Sequence, residues 1–156
     1  MIKNILLIIG ASSDIGIDLI KNIDEDCLIF AHYNNSDQKL LELSKSLNNE
    51  IILLKADLSS IEETLLMLKK IESEFGIPNK IVHLAAARVE NIRFKDISWN
   101  NFEKYFYITL RSSILILNRF LPELAKEKRG KVVLMLSSYV LGVPPIALTH
   151  YTTIKY

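Results

Sequence analysis

Asn4-Ile5-Leu6-Leu7-Ile8-Ile9-Gly10-Ala11-Ser12-Ser13-Asp14-Ile15-Gly16 opens the chain with an apolar run, a tight Gly/Ser turn and a second glycine six positions after the first. A strand ending at Ile9 and a helix starting near Ile15 would aim free backbone N–H groups, and the positive end of the helix dipole, at an anion. A dinucleotide pyrophosphate is the natural guest of such a turn, with Ser12, Ser13 and Ile15 beside it. Gly10 lets the chain turn sharply, and Gly16 lets the helix pack close to the strand. The position two before Gly16 is Asp14, whose carboxylate is expected to cap the helix N-terminus and so to compete with a phosphate. The plain alternative is a strand-to-helix turn with Asp14 as an ordinary cap, because glycine patterns of this kind are loose.

Working outward, apolar runs of strand length recur at Cys27–Ala31, Ile51–Lys55, Lys80–Leu84 and Lys131–Leu136, separated by intervals long enough for crossovers. Because the runs are nearly all apolar, the strands are expected to be buried on both faces, as in a parallel sheet covered by helices on each side. That predicts an α/β, Rossmann-like doubly wound fold of three layers, with strand order 3-2-1-4-5, in one domain spanning residues 1–156. Between the strands, Ile15-Leu19-Ile20-Ile23, Leu40-Leu41-Leu43-Leu47 and Ile61-Leu65-Leu68-Ile71 recur at helical steps. The segment Trp99–Glu127 reads as one long helix, or a broken one.

The composition narrows the function. With 156 residues, 49% of them hydrophobic, the chain can build one core. A formal charge of +1, with no long basic run, gives no footprint for nucleic acid. Ile5–Ile9 is too short to span a bilayer and leads into a turn instead of a cleavage site, so the chain reads as cytoplasmic, without a membrane partner. The single cysteine, Cys27, reads as a buried thiol. No metal is expected, and His32, His83 and His150 are assigned no chemistry.

Tyr151 and Lys155 stand four apart near the end of the chain, with Ser138 thirteen residues upstream of Tyr151. The four-residue spacing alone is cheap in a chain with six tyrosines, as Tyr107 and Arg111 show. In conjunction with Gly10–Gly16, Ala56-Asp57-Leu58, Leu84-Ala85-Ala86, Ser137-Ser138 and Tyr151-Thr152-Thr153-Ile154-Lys155, in that order, the chain resembles the short-chain dehydrogenase/reductase family. Within it, the likeness is to 3-oxoacyl carrier-protein reductases and related carbonyl reductases, the serine-to-tyrosine spacing setting it apart from the sugar-nucleotide epimerase branch.

The resemblance implies hydride transfer between a nicotinamide and a small ketone, aldehyde or alcohol. Tyr151 would exchange the proton at the carbonyl oxygen. Lys155 would favour the phenolate and hold the nicotinamide ribose, and Ser138 would donate to the substrate oxygen. Asp57 would accept from the adenine amino group, with Leu58, Ala85 and Ala86 lining the adenosine. The chain departs from the family pattern in three places: Asp14 replaces a glycine, Thr109 stands where an asparagine carbonyl holds a water of the proton relay, and His83-Leu84 replace two asparagines. The chain is also expected to lack the family's C-terminal part, and the full-length form to be a homodimer or homotetramer.

After the second strand, Tyr33, Asn34, Asn35 and Ser36 offer no acid to a ribose 2′-hydroxyl, which favours NADP(H) over NAD(H). No Arg or Lys at that tip or in the glycine loop is available to a 2′-phosphate. Asp14, Thr109 and the short C-terminus keep a second reading open, a non-catalytic dinucleotide-binding or interaction module on a degenerate version of the same fold.

Overall fold

The computed structural model describes residues 4–156. Five strands, β1 (Ile5–Ile9), β2 (Leu28–Tyr33), β3 (Ile51–Lys55), β4 (Lys80–His83) and β5 (Lys131–Leu134), form one sheet. Its order is β3-β2-β1-β4-β5, and every pairing is parallel. The expected topology is therefore the observed one. Helices α1 (Asp14–Lys21), α2 (Gln38–Ser46) and α3 (Ile61–Phe75) fill the first crossovers, followed by α4 (Trp99–Tyr105), α5 (Ser112–Lys126) and α6 (Thr149–Lys155).

Side chains alternate across a strand, so β1 feeds two cores at once. Ile5, Leu7 and Ile9 join Phe30, Leu68, Ile71 and Phe120 on the face covered by α3 and α5. Leu6 and Ile8 join Ile17, Ile20, Ile29 and Leu40 on the face covered by α1 and α2. Each fully buried side chain of this size contributes about 1.5–3 kcal/mol. The helical stripes are narrower than the sequence suggests. On α1 the buried residues are Gly16, Ile17 and Ile20, while Ile15 is 56% exposed. On α3 they are Thr64, Met67, Leu68 and Ile71, with Ile61 and Leu65 left in solvent.

Burial on both faces fails for the outer strands. All four residues of β5 are exposed, and among the described residues β4 is its one sheet neighbour. β3 is only partly covered. Strand ends also differ from the apolar runs: β2 continues to Tyr33, while Leu84 and Met135 lie past β4 and β5 yet still donate their N–H groups to Ile9 O and His83 O, at 2.8 and 2.9 Å.

The segment expected as one long helix is helical throughout but changes pitch. Between α4 and α5, Phe106–Arg111 forms a π-helical stretch. Such a stretch shifts the backbone ladder and leaves carbonyls in need of donors. The Ser112 and Ser113 hydroxyls donate to the carbonyls of Ile108 and Thr109, each at 2.6 Å.

Candidate functional site

All five strands end on one side of the sheet, and a cleft of about 580 Å³ opens there. Gly10, Ser12, Ser13 and Ile15 form its lower lip; Tyr33, Asn34 and Asn35 bring the β2 tip, Asp57 and Leu58 the β3 exit, and Ala85 and Ala86 the β4 exit. Eleven of the residues expected around a nucleotide thus share one wall. Asp14, Gly16 and Ser36 do not line it.

The loop is held by local chemistry. Gly10 has φ +81°, and a Cβ there would fall 2.9 Å from Ala85 N, so a side chain is excluded by both conformation and space. At Gly16 a Cβ would sit 2.5 Å from Ala11 O. Gly16 therefore permits close approach to the loop's own backbone, not to the strand. The helix cap is Ser13, not Asp14: the Ser13 hydroxyl oxygen accepts from Gly16 N–H at 3.1 Å, and its O–H donates to Gly10 O at 2.8 Å. Asp14 falls one residue inside the helix. It is 88% exposed and pairs with Lys39 of α2 at 2.7 Å, whose ammonium holds its carboxyl below the ordinary range. This pair lies in the groove between α1 and α2, outside the lining of the cleft.

At the β3 exit, Asp57 Oδ1 accepts from Ser59 N–H and the Ser59 hydroxyl, at 2.8 and 2.7 Å. Oδ2 takes no part in that turn. Arg111, four residues after Tyr107, has its guanidinium 4.1 Å from that ring and donates to Ser59 O at 2.7 Å. A spacing that looked accidental thus braces the cleft from the π-helical stretch. Arg88 and Lys104 supply cationic groups to the cleft wall. Sequence spacing gave no sign of Lys104, which arrives on α4 from a distant part of the chain.

Ser138, Tyr151 and Lys155 lie beyond this lining. Lys155 is buried and its Nζ donates to Met135 O, just past β5, at 2.7 Å. Burial lowers its pKa. This tie draws α6 against the one-turn helix Ser138–Val140, where the ring of Tyr139 meets Tyr151 edge-on at 6.5 Å between centroids. On its other side Tyr151 meets Tyr105 of α4 at 6.1 Å. Tyr105 in turn donates to Arg88 O, joining the trio's surroundings to the cleft wall. A second hollow, of about 330 Å³, lies beside the trio between Tyr139, Val140, Gly142 and Pro144 and the α6 residues Thr152, Thr153 and Tyr156.

Three buried histidines surround these parts. His83 faces the Ser112 hydroxyl at 2.8 Å; burial, aided by the charge of Lys155, pushes its pKa down to about 4. His150 is wholly buried against Tyr105, at 4.8 Å between ring centroids. Among the described residues neither of its ring nitrogens makes a well-aligned hydrogen bond, although the Glu90 backbone acts on the ring.

A family model for short chain dehydrogenases matches residues 4–156. The chain belongs to the short-chain dehydrogenase family. An uncharacterized oxidoreductase of Staphylococcus epidermidis is 23% identical over 146 residues, 92% of this chain and 61% of the relative. The chain thus spans about three-fifths of the curated relatives it matches. Among solved structures, a short-chain dehydrogenase/reductase from Serratia marcescens superposes with a TM-score of 0.83 at 15% identity, covering 97% of this chain and 62% of that one. One from Saccharomyces cerevisiae gives 0.82 at 20% identity, covering 97% and 60%. An NADH-dependent reductase complexed with NAD gives 0.81 at 16%, covering 98% and 67%. Membership implies a nicotinamide cofactor, and the cleft fits one: Gly10 keeps side-chain atoms out of the turn, and the wall supplies the small Ala85 and Ala86 together with the cationic Arg88 and Lys104.

Proposed function

We propose that this single domain carries the nucleotide site and the reacting residues of an NAD(P)H-dependent short-chain reductase acting on a ketone or aldehyde, or on an alcohol in reverse. The observation that carries the reading is the tie from buried Lys155 to Met135 O, which sets Tyr151 beside the turn of Ser138, at the end of the sheet where the cleft opens. A nicotinamide cofactor, when bound, supplies or accepts the hydride. Tyr151 then exchanges a proton with the substrate oxygen, and Ser138 donates a hydrogen bond that orients it. Lys155 gives one of its three N–H donors to Met135 O, which leaves two that would serve the tyrosine and, when it is bound, the nicotinamide ribose. The likeness to 3-oxoacyl carrier-protein reductases makes a short acyl ketone the first substrate class to try.

NADP(H) is preferred because the residues that the β2 tip brings to the cleft, Tyr33, Asn34 and Asn35, include no acid. Among the described residues no helix is long and apolar enough to cross a membrane, which supports a cytoplasmic setting. Phe106, Leu110 and Ile114 recur at four-residue steps and are 38–46% exposed, which supports a dimer or tetramer.

One observation favours a non-catalytic nucleotide-binding module. The Thr109 carbonyl, which the family pattern assigns to a relay water, already accepts from the Ser113 hydroxyl at 2.6 Å. Assays of the full-length protein separate the two. Tyr151→Phe should lower carbonyl reduction about 10²–10⁴-fold while NADPH still binds, and Lys155→Met should damage both. Undiminished turnover by Tyr151→Phe removes the mechanism. Nucleotide binding without turnover by the unaltered protein favours the module. Tighter binding of NADH than of NADPH removes the coenzyme preference.

A further inference from the structure

His32 stands one residue before the end of β2, is 2% exposed, and its ring forms part of the cleft wall. Its Nδ1 accepts from Gly10 N–H at 3.1 Å. Its Nε2 faces Ala56 O at 3.0 Å. A carbonyl can only accept, so Nε2 carries the proton, Nδ1 offers a lone pair, and the two partners together specify one neutral tautomer. The His32 carbonyl also accepts from Ala11 N–H at 2.8 Å. The first two amides of the nucleotide loop are thus fastened to a single residue. Across the ring, Ala56 immediately precedes Asp57. One imidazole therefore fixes the loop at Gly10 relative to the β3 exit, and both ends of that span line the same cleft.

We propose that His32 is a positioning residue that sets the glycine loop against the Asp57 exit only in its neutral form, so that nucleotide binding weakens on acidification. This rests on the nucleotide reading of the cleft. A second proton at Nδ1 would turn the Gly10 contact into two donors facing each other at 3.1 Å. Gly10 must then move, and Ala85 N, 2.9 Å from where its Cβ would lie, closes one direction of escape. The charged and titratable groups facing the ring are Asp57 from the β3 exit, which favours the imidazolium, and His83 from β4. Burial outweighs Asp57 and holds the pKa of His32 below its ordinary 6.5. Binding is thus at full strength through neutral pH and declines on the acid side of 6.5, as the pH falls through the depressed value.

The test uses ADP-ribose, whose phosphodiester charges stay constant over the range, titrated into the protein from about pH 8 to about pH 5 where circular dichroism shows it folded. The unaltered protein is expected to lose about tenfold in affinity, with the Gly10 amide resonance moving as His32 titrates. His32→Asn offers an amide oxygen in place of Nδ1 but cannot take up a proton. It should bind within about threefold of the unaltered protein near neutrality and stay flat with pH. His32→Leu should bind about tenfold more weakly at every pH. Wild-type strength in His32→Leu, or the full acid loss in His32→Asn, overturns the proposal. If a variant does not fold, the unaltered protein decides: a Gly10 resonance indifferent to His32 titration overturns the inference. A resonance that follows the titration in a protein that binds no ADP-ribose at any pH instead removes the nucleotide reading while leaving the loop tie in place.

Discussion

Strands β1 and β5 lie parallel in one sheet and are built from the same kind of residue, yet Leu7 is wholly buried and Val133 is 52% exposed. β1 has a strand on each side and helices over both faces. β5 has β4 on one side. An apolar strand shows what it is able to bury; its neighbours decide whether it does. The two strands serve different ends of the site. β1 delivers the glycine loop from the most buried part of the molecule, whereas β5 delivers Met135 and the Ser138 turn from one of the least covered.

The contrast breaks most readily in urea. Leu7→Ala should cost about 2–5 kcal/mol of unfolding free energy, because it empties a packed site. Val133→Ala should cost less than about 1 kcal/mol. Equal costs would mean that β5 is covered in solution.

A second measurement tests the strand between them. The folded pKa of His83 on β4 is about 4 against an ordinary 6.5. Below 6.5 the unfolded chain takes up a proton that the folded one refuses, so stability is intact above that pH and falls as pH drops toward 4. The loss attributable to this residue is about 3 kcal/mol. His83→Asn should remove that part of the acid slope, and an unchanged slope would place the acid sensitivity in the other buried histidines.

The smallest effects lie in the nucleotide loop. Ser13→Ala removes the α1 cap and should cost about 1 kcal/mol. Asp14→Asn should cost less and leave ADP-ribose affinity unchanged, since the carboxylate faces Lys39. A tightening by more than about threefold would turn Asp14 back toward the phosphate site.

The sheet order was legible because five apolar runs with long intervals admit few right-handed parallel topologies. Most of the cleft lining was legible too, since its residues follow directly on strand ends. The bare faces of the edge strand β5 were not, because an apolar run does not say which helices cover it. The cap went to Ser13 over Asp14 because both residue types cap well, and only the backbone path distinguishes adjacent candidates. The π-helical stretch left no apolar signature. Its signal was the pair Ser112-Ser113, two hydroxyls within reach of preceding carbonyls. Lys104 reached the cleft, and Arg111 the backbone of Leu58 and Ser59 at its edge, through tertiary contacts between segments far apart in sequence.

The bond from Lys155 to Met135 O has a consequence for change over time. Together with Ile92 N–H, which donates to Ala147 O at 2.9 Å, it fastens both ends of the segment that carries the exposed Leu141, Val143 and Ile146. Lengthening a segment tethered at both ends adds only about 0.6 kcal/mol of closure entropy per doubling. From Leu141 to Ile146, beyond the Ser138 turn, its sequence can therefore drift, grow or be replaced while α6 stays in register with the sheet. The part free to vary is separated from the part that must hold still.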